Sequence, residues 1–390
     1  MKRKLGKGLF LILLLLGTLL GLSWGIRFYW LKQPEVSFPL ALRWKIDLGH
    51  FTYERPAYQD GLILMPANTR FSSRWYGINA ATGQTVWSQD TGQFKMLRCL
   101  TTDHLVISGQ GGNLFVLEPQ TGTVIWKGSR RNGTGGARAA CSEKLVFVAD
   151  SRSSIYTFDI NTGEPSWIVE NSKTNLHDPI YNPQVDEVIA YGPEGILNTI
   201  DAETGTLERS FEEVSIPPYE EWRGSMYVID QGQLFVNGTV LDATTGRLIH
   251  KEDRYSGLVP PVLAGNTIYI SDSHQGLVAL NRATFDVKWI FQPQNKLEWS
   301  PLVILSQVTI LDGIGYVIFS DATLRAIDLE TGHELGYWQP KSSDLWRWPI
   351  CVLPLDPGCE KYAKVGMTIS DDTLFVSFGD GKLYAFSNSP

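Results

Sequence analysis

The stretch Ile200-Asp201-Ala202-Glu203-Thr204-Gly205 decides the fold, because its outline recurs along the chain. Copies stand at Ile78–Gly83, Leu117–Gly122, Phe158–Gly163, Leu241–Gly246 and Ile327–Gly332, with a degenerate one at Leu280–Phe285. Their threonines, at 82, 121, 162, 204, 245, 284 and 331, are separated by 39, 41, 42, 41, 39 and 47 residues. A period near that length marks repeated supersecondary units. Each copy follows a short apolar run such as Asn113–Leu117 or Gly276–Leu280 and precedes another such as Thr123–Trp126. An Asp or Asn side chain starts a turn by bonding backbone two residues on, and Gly supplies the positive φ of a tight corner. The motif therefore reads as strand–turn–strand. Glu118 in one slot and Asn79 and Asn281 in two others argue against a catalytic carboxylate there.

Four residues after the turn Gly, or its equivalent, stands Trp87, Trp126, Trp167 or Trp289; the other copies hold Arg209, His250 and Gly336. A Trp at that place is expected to pack one repeat on the next, since a single four-strand unit cannot bury its own apolar face. Counting outward gives seven repeats at 56–88, 95–128, 137–169, 178–211, 222–251, 259–292 and 300–338. The eighth is split. Residues 364–387 supply its first strands, and Leu42–Leu48, with Trp44, supply its last. The expected fold is all-β: an eight-bladed β-propeller over 42–387, closed by the N-terminal strand, which hides sheet edges.

The Asp-x-x-Thr-Gly-x-x-x-Trp outline, clearest from Asn161 to Trp167 and from Thr121 to Trp126, resembles the pyrroloquinoline-quinone-type repeat family of eight-bladed propellers. That family includes quinoprotein dehydrogenases, ectodomains of bacterial receptor-like kinases and the outer-membrane assembly protein BamB. Size and ring layout look most like the BamB-like, non-catalytic branch. The resemblance implies an envelope-associated protein-binding scaffold. The enzymes it also covers use the quinone, a calcium ion, a catalytic Asp and a disulfide between neighbouring cysteines. This chain has no adjacent Cys pair, and no cofactor, catalytic or metal-binding residue is assigned. The alternatives are a quinone-dependent dehydrogenase and a propeller that senses a small molecule or glycan.

Residues 1–30 read as a membrane anchor. Lys2, Arg3, Lys4 and Lys7 precede an uncharged, Leu-rich run from Gly8 to Ile26, followed by Trp24, Phe28, Tyr29 and Trp30 at the far end. Nineteen helical residues span about 28 Å, enough for a hydrocarbon core, and the basic flank stays cytoplasmic. The expected location is the inner or plasma membrane, single-pass, with the propeller extracytoplasmic. A signal peptide cleaved near Gly21 and Ser23 is the competing reading. No Cys in this segment can carry a lipoprotein anchor. Residues 31–41 form a linker.

The chain carries 34 basic and 41 acidic residues. Residues 1–32 hold six of the basic ones and none of the acidic, leaving a net of −13 beyond them. An acidic ectodomain speaks against nucleic acid as a partner. The six histidines are scattered and no Cys/His spacing suits zinc. Cys351 and Cys359, eight apart in one connection, are the candidate disulfide, whereas Cys99 and Cys141, on innermost strands of adjacent repeats, are expected to be buried free thiols. The connection 341–363 carries Trp346-Arg347-Trp348, residue types favoured as interface anchors. It is the candidate partner-binding loop, with packing over the ring end as the plainer reading. The partner is an unidentified protein.

Overall fold

The computed structural model describes residues 37–49, 55–68, 72–92, 95–109, 113–129, 138–149, 154–169, 177–191, 196–211, 227–236, 239–251, 254–255, 259–272, 275–293, 304–340, 365–378 and 381–388. The anchor segment 1–30, the Trp346-Arg347-Trp348 connection and the Cys351/Cys359 pair lie outside them. Among the described residues no helix is long and apolar enough to cross a membrane.

The first strand, β1 (Ala41–Asp47), stands apart from the regular order. Blade 1 is β2 (Ala57–Gln59), β3 (Leu62–Asn68), β4 (Ser73–Asn79) and β5 (Thr85–Gly92). Blade 2 is β6 (Lys95–Leu100), β7 (Leu105–Gly109), β8 (Asn113–Leu117) and β9 (Val124–Ser129). Blade 3 is β10 (Arg138–Cys141), β11 (Leu145–Ala149), β12 (Ile155–Asp159) and β13 (Pro165–Val169). Blade 4 is β14 (His177–Asn182), β15 (Glu187–Tyr191), β16 (Leu197–Asp201) and β17 (Leu207–Phe211). Blade 5 is β18 (Tyr227–Asp230), β19 (Gln233–Val236), β20 (Thr239–Asp242) and β21 (Leu248–Lys251). Blade 6 is β22 (Val262–Ala264), β23 (Thr267–Asp272), β24 (Gly276–Asn281) and β25 (Val287–Phe291). Blade 7 is β26 (Thr309–Leu311), β27 (Ile314–Ile318), β28 (Leu324–Asp328) and β29 (Glu334–Trp338). Blade 8 begins with β30 (Gly366–Ser370), β31 (Thr373–Ser377) and β32 (Lys382–Ser387).

Seven sheets are simple four-strand meanders; the eighth runs β30-β31-β32-β1. Strand β1 pairs antiparallel with β32, Ala41 opposite Ser387 and Asp47 opposite Lys382, so the first strand seals the last blade. First strands of neighbouring sheets approach each other, as β6, β10 and β14 do, and line the axis of the wheel. Second and third strands are buried on both faces, which explains their near-continuous apolar runs. The core is divided by seams. Each of eight apolar clusters draws its residues from two consecutive blades.

Part of the long step of 47 residues arises in blade 7. Ile304 bridges Phe319, and regular pairing resumes only at Thr309 opposite Tyr316, so the first strand makes an excursion. Ser306 closes it by accepting the Ile318 amide at 2.9 Å.

The Thr-Gly turns behave as their residues dictate. Asp159 Oδ1 accepts the amides of Asn161 (2.9 Å) and Thr162 (2.8 Å) and the Thr162 hydroxyl (3.1 Å). Asn79 does the same for Ala81 (3.1 Å), Thr82 (2.9 Å) and the Thr82 hydroxyl (3.0 Å), which is why Asn substitutes for Asp.

Candidate functional site: seams and faces of the wheel

The tryptophans form a key repeated from blade to blade. Trp44, Trp87, Trp126, Trp167 and Trp289 each lie flat on the turn Gly of the following blade, at Gly83, Gly122, Gly163, Gly205 and Gly332. Each indole N–H donates to the turn carbonyl three residues earlier: Ala80, Pro119, Ile160, Ala202 or Leu329, at 2.7–3.1 Å. A Cβ built on Gly122 would sit 2.3 Å from the Trp87 ring, so a side chain there is excluded.

The three slots without Trp have separate physical reasons. Arg209 turns to the Glu187 carboxylate of its own blade, and Phe211, two residues on, takes over the contact with Gly246. His250 stacks on Phe285, ring centroids 3.9 Å apart and planes 2° from parallel, where Phe replaces the turn Gly. Gly336 faces the incoming N-terminal segment. Its φ is +152, and a Cβ would meet the Ser37 carbonyl oxygen at 1.6 Å. Blade 8 has no third-to-fourth-strand turn to receive a Trp. Phe38 instead packs edge-on to Tyr316 and Phe386, and Trp338 packs against Phe378, Tyr384 and Phe386.

The cysteines differ from expectation. Cys99 and Cys141 are joined in a disulfide, Cα atoms 6.0 Å apart, stapling β6 of blade 2 to β10 of blade 3. The register of β6 against β7 shifts between Leu97 and Cys99, so Arg98 is an extra residue and Cys99 leaves strict alternation. The expectation of two buried free thiols is thereby corrected.

Charge is segregated. The turns joining strands one to two and three to four share one end of the wheel. Counted with one flanking residue on each side, they hold nineteen acidic residues against Lys144, Arg247 and Arg282, a balance of −16. The whole chain balances at −7, so everything outside those turns is net positive. Hydrogen bonds from the turn backbone and Thr162 hold the Asp159 carboxyl below its ordinary range. Asp201, Asp242 and Asp328 are lowered by their own turn threonines in the same way. Burial, helped by the bond to Asp186 (2.8 Å), pushes Tyr181 up to about 12.

In blade 7, Arg325 is buried between Asp321 (3.2 Å) and Glu334 (2.8 Å), over the rings of Phe319 and Tyr337. Its Nε also donates to the Thr323 hydroxyl, which in turn bonds Asp321. This network fixes the second-to-third-strand connection and the start of β29. Strand β29 ends, at Trp338, on the end of the wheel opposite the acidic turns.

The family model described as outer membrane protein assembly factor BamB matches residues 41–136, 76–291, 193–344 and 236–389. The chain belongs to this family of PQQ-type repeat propellers. Among curated proteins no sequence matches. BamB from Moraxella catarrhalis superposes with a TM-score of 0.65 at 17% identity, covering 89% of this chain and 99% of that one. The computationally designed Ika8 protein gives 0.63 at 15% identity, covering 87% and 97%. A europium-containing methanol dehydrogenase gives 0.62 at 11% identity, covering 91% and 95%. At these identities the likeness is one of fold.

The bridged cysteines stand 42 residues apart on different blades rather than side by side. Among the described residues no three of His, Cys, Asp and Glu converge to hold a metal ion.

Proposed function

We propose that this chain is a non-catalytic, membrane-tethered scaffold of the cell envelope that binds a protein partner. The observation that carries the reading is the match of the BamB model along the whole ring, from 41 to 389. On this reading residues 1–30 anchor the chain with its N-terminus cytoplasmic, and the wheel stands on the far side. The Cys99–Cys141 bridge supports that side, because disulfides persist in oxidising compartments. Trp346, Arg347 and Trp348, on the long connection into blade 8, are assigned to partner capture from their chemistry alone. Site-specific cross-linking in intact cells tests this. The wild-type chain is expected to yield a discrete adduct that Trp346→Ala with Trp348→Ala weakens without lowering the melting temperature. An undiminished adduct in the double variant removes the loop from the reading.

The methanol dehydrogenase likeness supports a second reading, a quinone-dependent dehydrogenase. Purified protein given the quinone and calcium, then alcohols or sugars with a redox dye, separates the two. Dye reduction well above the protein-free rate would replace the scaffold reading.

A further inference from the structure

Blade 5 is bound to its neighbours by weaker means than the other blades. Among the described residues the smallest apolar clusters are the seams between blades 2 and 3 and between blades 4 and 5, with six buried residues each. The first is reinforced twice, by Trp126 on Gly163 and by the Cys99–Cys141 bridge. The second has neither. Phe211 lies on Gly246, but a phenyl ring has no N–H for the turn carbonyl, and Arg209 spends its charge within blade 4. On the other side of blade 5 the indole key is again replaced, by His250 on Phe285. There the polar links include a bond from Arg254 to the Phe285 carbonyl (3.3 Å) and an ion pair. Arg282, in the degenerate turn of blade 6, reaches back to the Asp230 carboxylate, to the Asp230 carbonyl (2.9 Å) and to Gln233 Oε1 (2.9 Å) in the first hairpin of blade 5. Its side chain is 9% exposed and that of Asp230 39%, so the pair is open to solvent and salt from one side.

We propose that blade 5 is the sector at which the ring opens, and that Arg282 on Asp230 is the clasp that holds it shut. Opening at that clasp parts His250 from Phe285 and uncovers Phe235, Val240 and Val278, an apolar surface hidden in the closed wheel. Local openings of this kind set the rate at which backbone amides exchange with solvent.

Hydrogen exchange of the full-length protein, read by mass spectrometry strand by strand, tests the assignment. Amides of β19 and β20 should exchange faster than those of β11 and β12, the matching strands of blade 3. Arg282→Gln, which removes a charge-assisted network, should speed blade 5 by roughly tenfold and leave blade 3 unchanged. His250→Trp combined with Phe285→Gly, which installs the standard key at the weak seam, should slow blade 5. If Arg282→Gln does not fold, 1 M sodium chloride on the wild-type protein serves, with acceleration expected in blade 5 alone. Equal exchange in blades 3 and 5, an Arg282→Gln or salt effect spread evenly round the ring, or no slowing in the double variant would each overturn the proposal.

Discussion

Asp201, Asp159, Asp242 and Asp328 each hold a turn together by accepting three hydrogen bonds or, for Asp242, at least two backbone ones. Those bonds lower the carboxyl pKa in every case. A group whose folded pKa is depressed stabilises fully above its unfolded value, about 4 for Asp, and loses that contribution as pH falls through the folded value. The native protein should therefore lose melting temperature below about pH 4. Changing all four to Asn should keep the turns, because Asn79 makes the same bonds, but lower stability at pH 7, because a neutral amide accepts less strongly than a carboxylate, and should flatten the acid limb. A quadruple variant as acid-sensitive as the native chain would show that other carboxylates carry the effect. At the same scale, opening the Cys99–Cys141 bridge, which closes a 42-residue loop, should cost about 4 kcal/mol by the loop-entropy relation. Thermal melts of Cys99→Ser against the native protein check this. The turns were legible in the sequence because one residue fixes each of them. The bridge was not, because an extra residue at Arg98 in one strand decides which way Cys99 points.

Between elements, the deciding contact is an indole on a bare glycine. Trp87 is almost fully buried, and replacing it with Ala should destabilise by roughly 3–5 kcal/mol. Trp87→Phe separates the two parts of the contact. It keeps an aromatic ring at the seam but loses the bond to Pro119 and part of the indole's contact with Gly122, so an intermediate loss of about 2 kcal/mol is expected in denaturant titrations. Equal losses in the two variants would mean that the hydrogen bond, and not the ring, carries the seam. The Trp slot was visible in the sequence as a fixed offset from the turn. Its replacements were not, because two depend on a partner 35 residues ahead and the third, Gly336, on Ser37 at the other end of the chain. Phe285 in a turn calls for the flat, smaller ring of His250, and Phe211 reaches Gly246 from two positions beyond the slot. The sequence pattern shows that a key is missing; which contact fills the gap is set by the next blade.

For the whole molecule, closure rests on seven residues. A chain beginning at Gly49 lacks β1 and leaves β32 as an open edge beside buried Phe375 and Leu383. Gel filtration of that chain should show aggregates or multimers, and a monomer melting at the native temperature would show that the wheel does not depend on β1. Closure was legible because Leu42–Leu48 reads as a last strand without its predecessors. The charge segregation was not, because acidic residues spread over fifteen turns gather at one end only once the strands alternate direction.

Gly336 has a consequence for assembly. Sectors joined by Trp and Gly present the same lock, and nothing in that lock distinguishes the third from the sixth. The bare strip of β29 is different: Ser37 and Phe38 can lie only where no side chain intervenes. The arriving strand thus has a single address, and the wheel counts its own sectors, stopping when that address is filled. A descendant that gained or lost one sector would have to move the address with it.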